Sequence, residues 1–143
     1  MLDEITQKLK YINAEESSVD IRVKINSTVP FRSDKSRISI MLNNLISNSI
    51  RYSRPDVNDP FVEIGVDVTD KEANIIVKDN GIGIGEEYHD KIFEMFYRVS
   101  HKSIGTGLGL YLVKESVKKL NGKIKVESQK EKGSKFSISI PND

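Results

Sequence analysis

Asn44, Asn48 and Arg51 recur at i, i+4 and i+7 within Leu42-Asn43-Asn44-Leu45-Ile46-Ser47-Asn48-Ser49-Ile50-Arg51-Tyr52-Ser53. At about 100° per residue, they fall within roughly 60° of one another on a helix. Two carboxamides and a guanidinium then form one ridge. Ile38, Met41, Leu42, Leu45 and Ser49 share a different, core-facing sector. An amide oxygen suits a hard cation such as Mg²⁺, which prefers oxygen ligands and keeps several waters. A guanidinium suits phosphate oxygens. The same spacing also describes an ordinary solvent-facing stripe, since Asn is a poor but not rare helix-interior residue.

Asp79-Asn80-Gly81-Ile82-Gly83-Ile84-Gly85 supplies a second chemical feature. Asp79 ends a strand as a fixed acceptor able to bind the exocyclic amino group of a purine. Glycines after it let a ligand approach the backbone closely. A turn opened by Asp is the alternative. A calcium loop does not fit, because the third and fifth positions are Gly81 and Gly83, which carry no side-chain oxygen, and the sixth is Ile84. A third feature, Gly105-Thr106-Gly107-Leu108-Gly109-Leu110, opens a helix whose free amides and dipole favour anionic oxygens. Thr106 can cap that helix or donate to a phosphate. Neither glycine segment has the spacing of a Rossmann fingerprint or a Walker loop.

The elements that must hold these residues follow from periodicity. Residues 3–13 predict a short helix with Ile5, Leu9 and Ile12 on one side. Val19, Ile21, Val23 and Ile25 alternate as in a half-buried strand. Ser33 or Asp34 can cap a long helix to about Ser53. Strands are expected over 61–68 and 73–78, with a turn at 69–72, then a helix from Glu86 to about Phe96. Leu110, Val113, Val117 and Leu120 mark another helix, stopped by Asn121-Gly122. Strands over 123–128 and 135–140 flank a turn at Gly133. The order implies an α+β chain: a two-layer α/β sandwich, with helices on one face of a mixed, mostly antiparallel sheet.

Composition removes several function classes. A net charge of +1 over 143 residues gives no electrostatic footprint for nucleic acid, and the lysines at 118, 119 and 123 read as a solvated helix end. Without cysteine there are no disulfides, thiolate chemistry or cysteine-ligated zinc. His89 and His101, the two histidines, are too few for a histidine-based metal site. No run of about 18 apolar residues and no signal peptide appears, so the chain is expected to be cytoplasmic, within a parent protein that can be membrane-anchored.

Taken in order, the Asn-rich helix, the Asp-x-Gly-x-Gly loop, Ile92-Phe93-Glu94-Met95-Phe96-Tyr97-Arg98 and Gly-Thr-Gly-Leu-Gly-Leu resemble four boxes of one family. These are the N, first glycine, F and second glycine boxes of sensor histidine kinase catalytic domains, in the wider family shared with gyrase, HSP90 and MutL. The resemblance runs from about Asp34 to Pro141 and implies a Bergerat-type ATP-binding fold with ATP and Mg²⁺ as cofactors. It implies that Asn48 holds Mg²⁺, with Asn44 and Arg51 near the phosphates. Many relatives have Lys where Arg51 stands. It puts Tyr52 near the nucleotide, Asp79 on adenine, Gly81 and Gly83 around the base, and Gly105, Thr106, Gly107, Leu108 and Gly109 along the triphosphate. Residues 98–107 become a lid over ATP. Phe93 and Phe96 are expected as core residues at its base, and Gly133-Ser134-Lys135-Phe136 resembles the family's last glycine motif.

The resemblance implies phosphoryl transfer from ATP to a histidine on a separate dimerisation domain, with a response regulator downstream. The parent is expected to be a homodimer and the fragment a monomer. The chain reads as a single catalytic domain over 1–143 lacking the phosphoacceptor, with His89 and His101 as surface residues. An ATPase switch is the alternative. Relatives of that kind use a Glu four residues before the metal-binding Asn, and here that position is Asn44, an amide that cannot take a proton from water at neutral pH. A non-catalytic nucleotide-binding signalling module is the third reading.

Overall fold

The computed structural model describes Glu4, Gln7 and residues 19–54, 56–97 and 108–143. The expected helix over 3–13 and the expected lid over 98–107, with His101, Gly105, Thr106 and Gly107, lie outside the described residues apart from Glu4 and Gln7.

Five strands form one sheet: β1 (Asp20–Ser27), β2 (Phe61–Val68), β3 (Glu72–Asp79), β4 (Lys123–Gln129) and β5 (Gly133–Pro141), in the order β1-β2-β3-β5-β4. β1 and β2 are parallel and the other pairs antiparallel. A parallel pair needs a long crossover. Helix α1 (Lys35–Arg51) supplies it, and α2 (Gly109–Lys119) leads into β4.

Period-two alternation sets the layers. Val62, Ile64, Val66 and Val68 of β2, Ala73, Ile75 and Val77 of β3, and Phe136, Ile138 and Ile140 of β5 point into one buried face. Glu63, Asp67, Asn74 and Lys78 face solvent on the other. α1 packs on β2 and β3, α2 on β4, and the helices pack on each other, which makes the two-layer sandwich. Ile38, Met41, Leu42, Leu45 and Ile46 of α1 are fully buried, each contributing about 1.5–3 kcal/mol by leaving water.

Asp34 caps α1, its Oδ1 accepting from Ser36 N at 3.0 Å and Arg37 N at 3.3 Å. Asn121 ends α2's cap in the left-handed conformation (φ 58), and the Gly122 amide returns to Val117 O at 2.9 Å.

One expected element differs. Glu86–Tyr88 is a single 3-10 turn, not the start of a helix to Phe96. Gly85 offers no side-chain cap, and the bonds that follow are mostly i to i+3: Lys91 N to Tyr88 O, Glu94 N to Lys91 O, Tyr97 N to Glu94 O. Ile92 anchors this stretch in the core, and Phe96 at φ 64 breaks helical geometry outright. Among the described residues no helix is long and apolar enough to cross a membrane.

Candidate functional site

Asp79 is the last residue of β3 and sits on the buried face, 9% exposed. A carboxylate there needs donors. Its Oδ1 accepts from the backbone amides of Gly81 at 2.9 Å and Ser134 at 3.3 Å, and the Ser49 side chain on α1 also bonds the carboxyl group. Burial pushes the carboxyl pKa above its ordinary value, against these three bonds, which pull it down.

The loop after Asp79 is pinned on two sides. Asn80 Oδ1 accepts from Phe61 N at 2.9 Å, while its Nδ2 donates to Asp59 O at 2.8 Å, which fastens the loop to the start of β2. The Ile82 amide donates to Tyr52 O at 3.0 Å, at the end of α1. A Cβ on Gly81 would stand 2.4 Å from that same Tyr52 oxygen, so only glycine allows the approach. Gly83 has φ +72, and a Cβ on it would meet Gln129 O at 1.9 Å. Ser49 and Tyr52 therefore join the C-terminal half of α1 to the Asp79 loop.

The polar ridge lies on this same half of α1. Asn44 and Asn48 are half-buried and Arg51 is exposed in the last turn. Asn44 Nδ2 donates to Ile40 O at 2.8 Å, so the amide presents its oxygen outward. That Oδ1 would lie 3.3 Å from a Cβ built on Gly109, the first residue of α2. The end of the second glycine segment thus meets the ridge. Leu108 and Gly109 are half-buried there, and Leu108 O receives the Leu112 amide at 2.9 Å. Among the described residues no side chain caps the α2 N-terminus.

The donor set speaks to magnesium. Among the described residues no group of three or more His, Cys, Asp or Glu side chains could cage a metal. Neutral amide oxygens on α1 suit an ion that is held chiefly by phosphate oxygens and its own waters.

Phe93 packs edge-on against Phe136, 6.3 Å between centroids at 87°, with Lys114 Nζ 5.5 Å above its ring. Its expected core role holds. Phe96 does not share it: the residue is 64% exposed, because its left-handed backbone turns the side chain away from the core. His89, expected at the surface, is half-buried with Nε2 3.2 Å from Ile84 O. A groove of ≈ 900 Å³ borders the other side of Asp79, between Glu86, His89, Ser128 and Ser134, and none of Asn44, Asn48 and Arg51 lines it.

The helix periodicity assigns Ser49 to the core-facing sector and does not show its contact with Asp79. A hydroxyl amid buried Leu and Ile was the available signal.

Residues 33–143 match the family of histidine kinase-, DNA gyrase B-, and HSP90-like ATPases. The chain belongs to this family. Within it, the chain is a histidine-kinase-type ATP-binding catalytic domain. It is 31% identical over 140 residues to the methanogenesis regulatory histidine kinase FilI of Methanothrix harundinacea (strain 6Ac), covering 96% of this chain and 16% of that protein. The catalytic domain of the histidine kinase ThkA, in a nucleotide-free form, superposes with a TM-score of 0.78 at 25% identity, covering 99% of this chain and 94% of that one. Full-length ShkA in complex with AMPPNP superposes with a TM-score of 0.84 at 20% identity, covering 99% of this chain and 30% of that one, a likeness of fold. The chain spans a quarter or less of the length of the curated relatives it matches.

Proposed function

We propose that the chain is a single domain that binds Mg²⁺–ATP between α1 and the Asp79 loop and passes the γ-phosphate to a histidine on a separate dimerisation domain. The observation that carries this reading is the joining of α1 to Asp79 through Ser49, the residue after Asn48, and to the following loop through Tyr52, one helical turn beyond Asn48. Asp79 accepts from the amino group of adenine. Gly81 and Gly83 leave the base room to reach it. Asn44 and Asn48 direct amide oxygens toward the metal and phosphates, Arg51 neutralises phosphate charge, and Tyr52 flanks the nucleotide. Leu108 and Gly109, with Gly105, Thr106 and Gly107 before them, line the triphosphate at the α2 N-terminus. Bound Mg²⁺ supplies charge neutralisation on the phosphates. The protein's work is positioning and electrostatics, as in phosphoryl transfer generally. On this reading the domain works where ATP is available, on the cytoplasmic side of any membrane its parent spans, and a response regulator acts downstream of the parent.

Intrinsic ATP hydrolysis is the second reading. Asn44 argues against it, since its amide nitrogen is spent on Ile40 O and its oxygen is no base. Incubation with γ-labelled ATP and a helical domain bearing a histidine tests the reading. Label on the partner histidine, with little phosphate release by the chain alone, supports transfer. Steady phosphate release without partner supports the ATPase instead, and tight ATP binding with neither outcome leaves a non-catalytic module.

A further inference from the structure

The hydroxyl of Ser128 sits at a junction between the β4–β5 hairpin and the Asp79 loop. Its Oγ accepts from the Ile84 amide at 2.7 Å, donates to Gly133 O at 2.9 Å, and lies 2.7 Å from Ser134 Oγ. A hydroxyl has one proton and two lone pairs. Ile84 N–H fills one lone pair, and Gly133 O and the Ser134 hydroxyl engage the rest of the group, with either hydroxyl able to donate to the other. Strand register extends the row: Ser128 pairs with Ser134, and Ser134 with Asp79. The hairpin touches the loop twice more, through Glu131 N to Ile82 O at 2.5 Å and through the packing of Gly83 on Gln129 O.

We propose that Ser128 is a positioning residue for the purine end of the site. It holds the 81–85 loop through Ile84 and braces Ser134 through the hydroxyl pair, so that the carboxylate keeps its two backbone donors, Gly81 N and Ser134 N, and stays in place as an acceptor for the base. The proposal rests on the ATP-binding reading above. Ser128 Oγ bonds Ile84, Gly133 and Ser134 and none of Asn44, Asn48, Arg51 or Gly109, so its effect is expected at the base end of the site rather than at the phosphates.

Calorimetry with Mg²⁺–ATP and with Mg²⁺–tripolyphosphate, which has phosphates but no base, separates the two ideas. Wild type failing to prefer ATP over tripolyphosphate overturns the ATP reading itself. With that preference present, Ser128→Ala is expected to weaken ATP about tenfold, the effect of orphaning a half-buried amide, with tripolyphosphate affinity unchanged. Amide hydrogen exchange at Ile84 accelerates in the same variant. Ser128→Thr keeps the hydroxyl and restores ATP affinity, while the isosteric Ser128→Val does not, and this pair serves should the alanine variant not fold. Equal losses for both ligands, or an ATP affinity indifferent to the hydroxyl, overturns the positioning role.

Discussion

The side chain of Ser49 bonds the carboxyl group of Asp79, tying the last residue of β3 to the helix that carries Asn44 and Asn48. With the Ile82 amide on Tyr52 O, this contact helps set the distance between the group read as binding a base and those read as binding phosphates.

Asp79→Ala is expected to weaken ATP binding about ten- to a hundredfold, the loss of a charge-assisted hydrogen bond of about 1.5–3 kcal/mol. Calorimetry checks it, and an unchanged affinity defeats the assignment to adenine.

The same carboxylate makes stability depend on pH. Burial raises its pKa in the fold, so the folded state holds the proton more tightly than the unfolded chain does. Its contribution is most favourable below the ordinary value of 3.8 and is lost as pH rises from there through the raised folded value. Asp79→Asn keeps an oxygen for the Gly81 amide and removes this loss. The ligand-free variant should therefore gain in Tm relative to wild type as pH rises from about 4 to 7, even as its ATP affinity falls. A Tm difference independent of pH would contradict the burial effect.

Two glycines should behave oppositely. Gly83→Ala meets Gln129 O and a left-handed backbone, so it should cost more than the about 1–2 kcal/mol of the backbone alone and weaken ATP binding. Gly65, in mid-strand on β2, has nothing within 4 Å of a built Cβ. Gly65→Ala should leave ATP binding intact and stabilise by about 0.5–1 kcal/mol. Urea unfolding measures both.

Asp34→Ala removes the cap of α1 and should cost about 0.5–2 kcal/mol in urea unfolding. Asp34→Ser should restore most of it, and an unchanged midpoint in the alanine variant would show that the two capping bonds contribute nothing.

Much of this architecture was legible in the sequence because its signals are local. Strict alternation gave β2 and β3 nearly to the residue, and the 3.6 periodicity with Asp34 in front gave α1. The segment after Gly85 was not legible as turns, since Ile92, Phe93 and Phe96 have helix-like spacing while the left-handed Phe96 does not show in composition. The relation of Ser49 to Asp79, and of Ser128 to Ile84, joins residues far apart in the chain. The packing of α1 on the sheet brings the first pair together, and the β4–β5 hairpin beside the Asp79 loop the second.

If the Asp79 loop and the α1 ridge form one nucleotide site, a single ligand must be felt at both. Amide spectra of the uniformly ¹⁵N-labelled chain titrated with ATP, with Mn²⁺ then replacing Mg²⁺, test it most directly. ATP should shift Gly81 and Gly83, and the paramagnetic ion should broaden Asn44, Asn48 and Gly109 first. Broadening confined to the groove beside His89 and Ser134, with the α1 amides untouched, would contradict it.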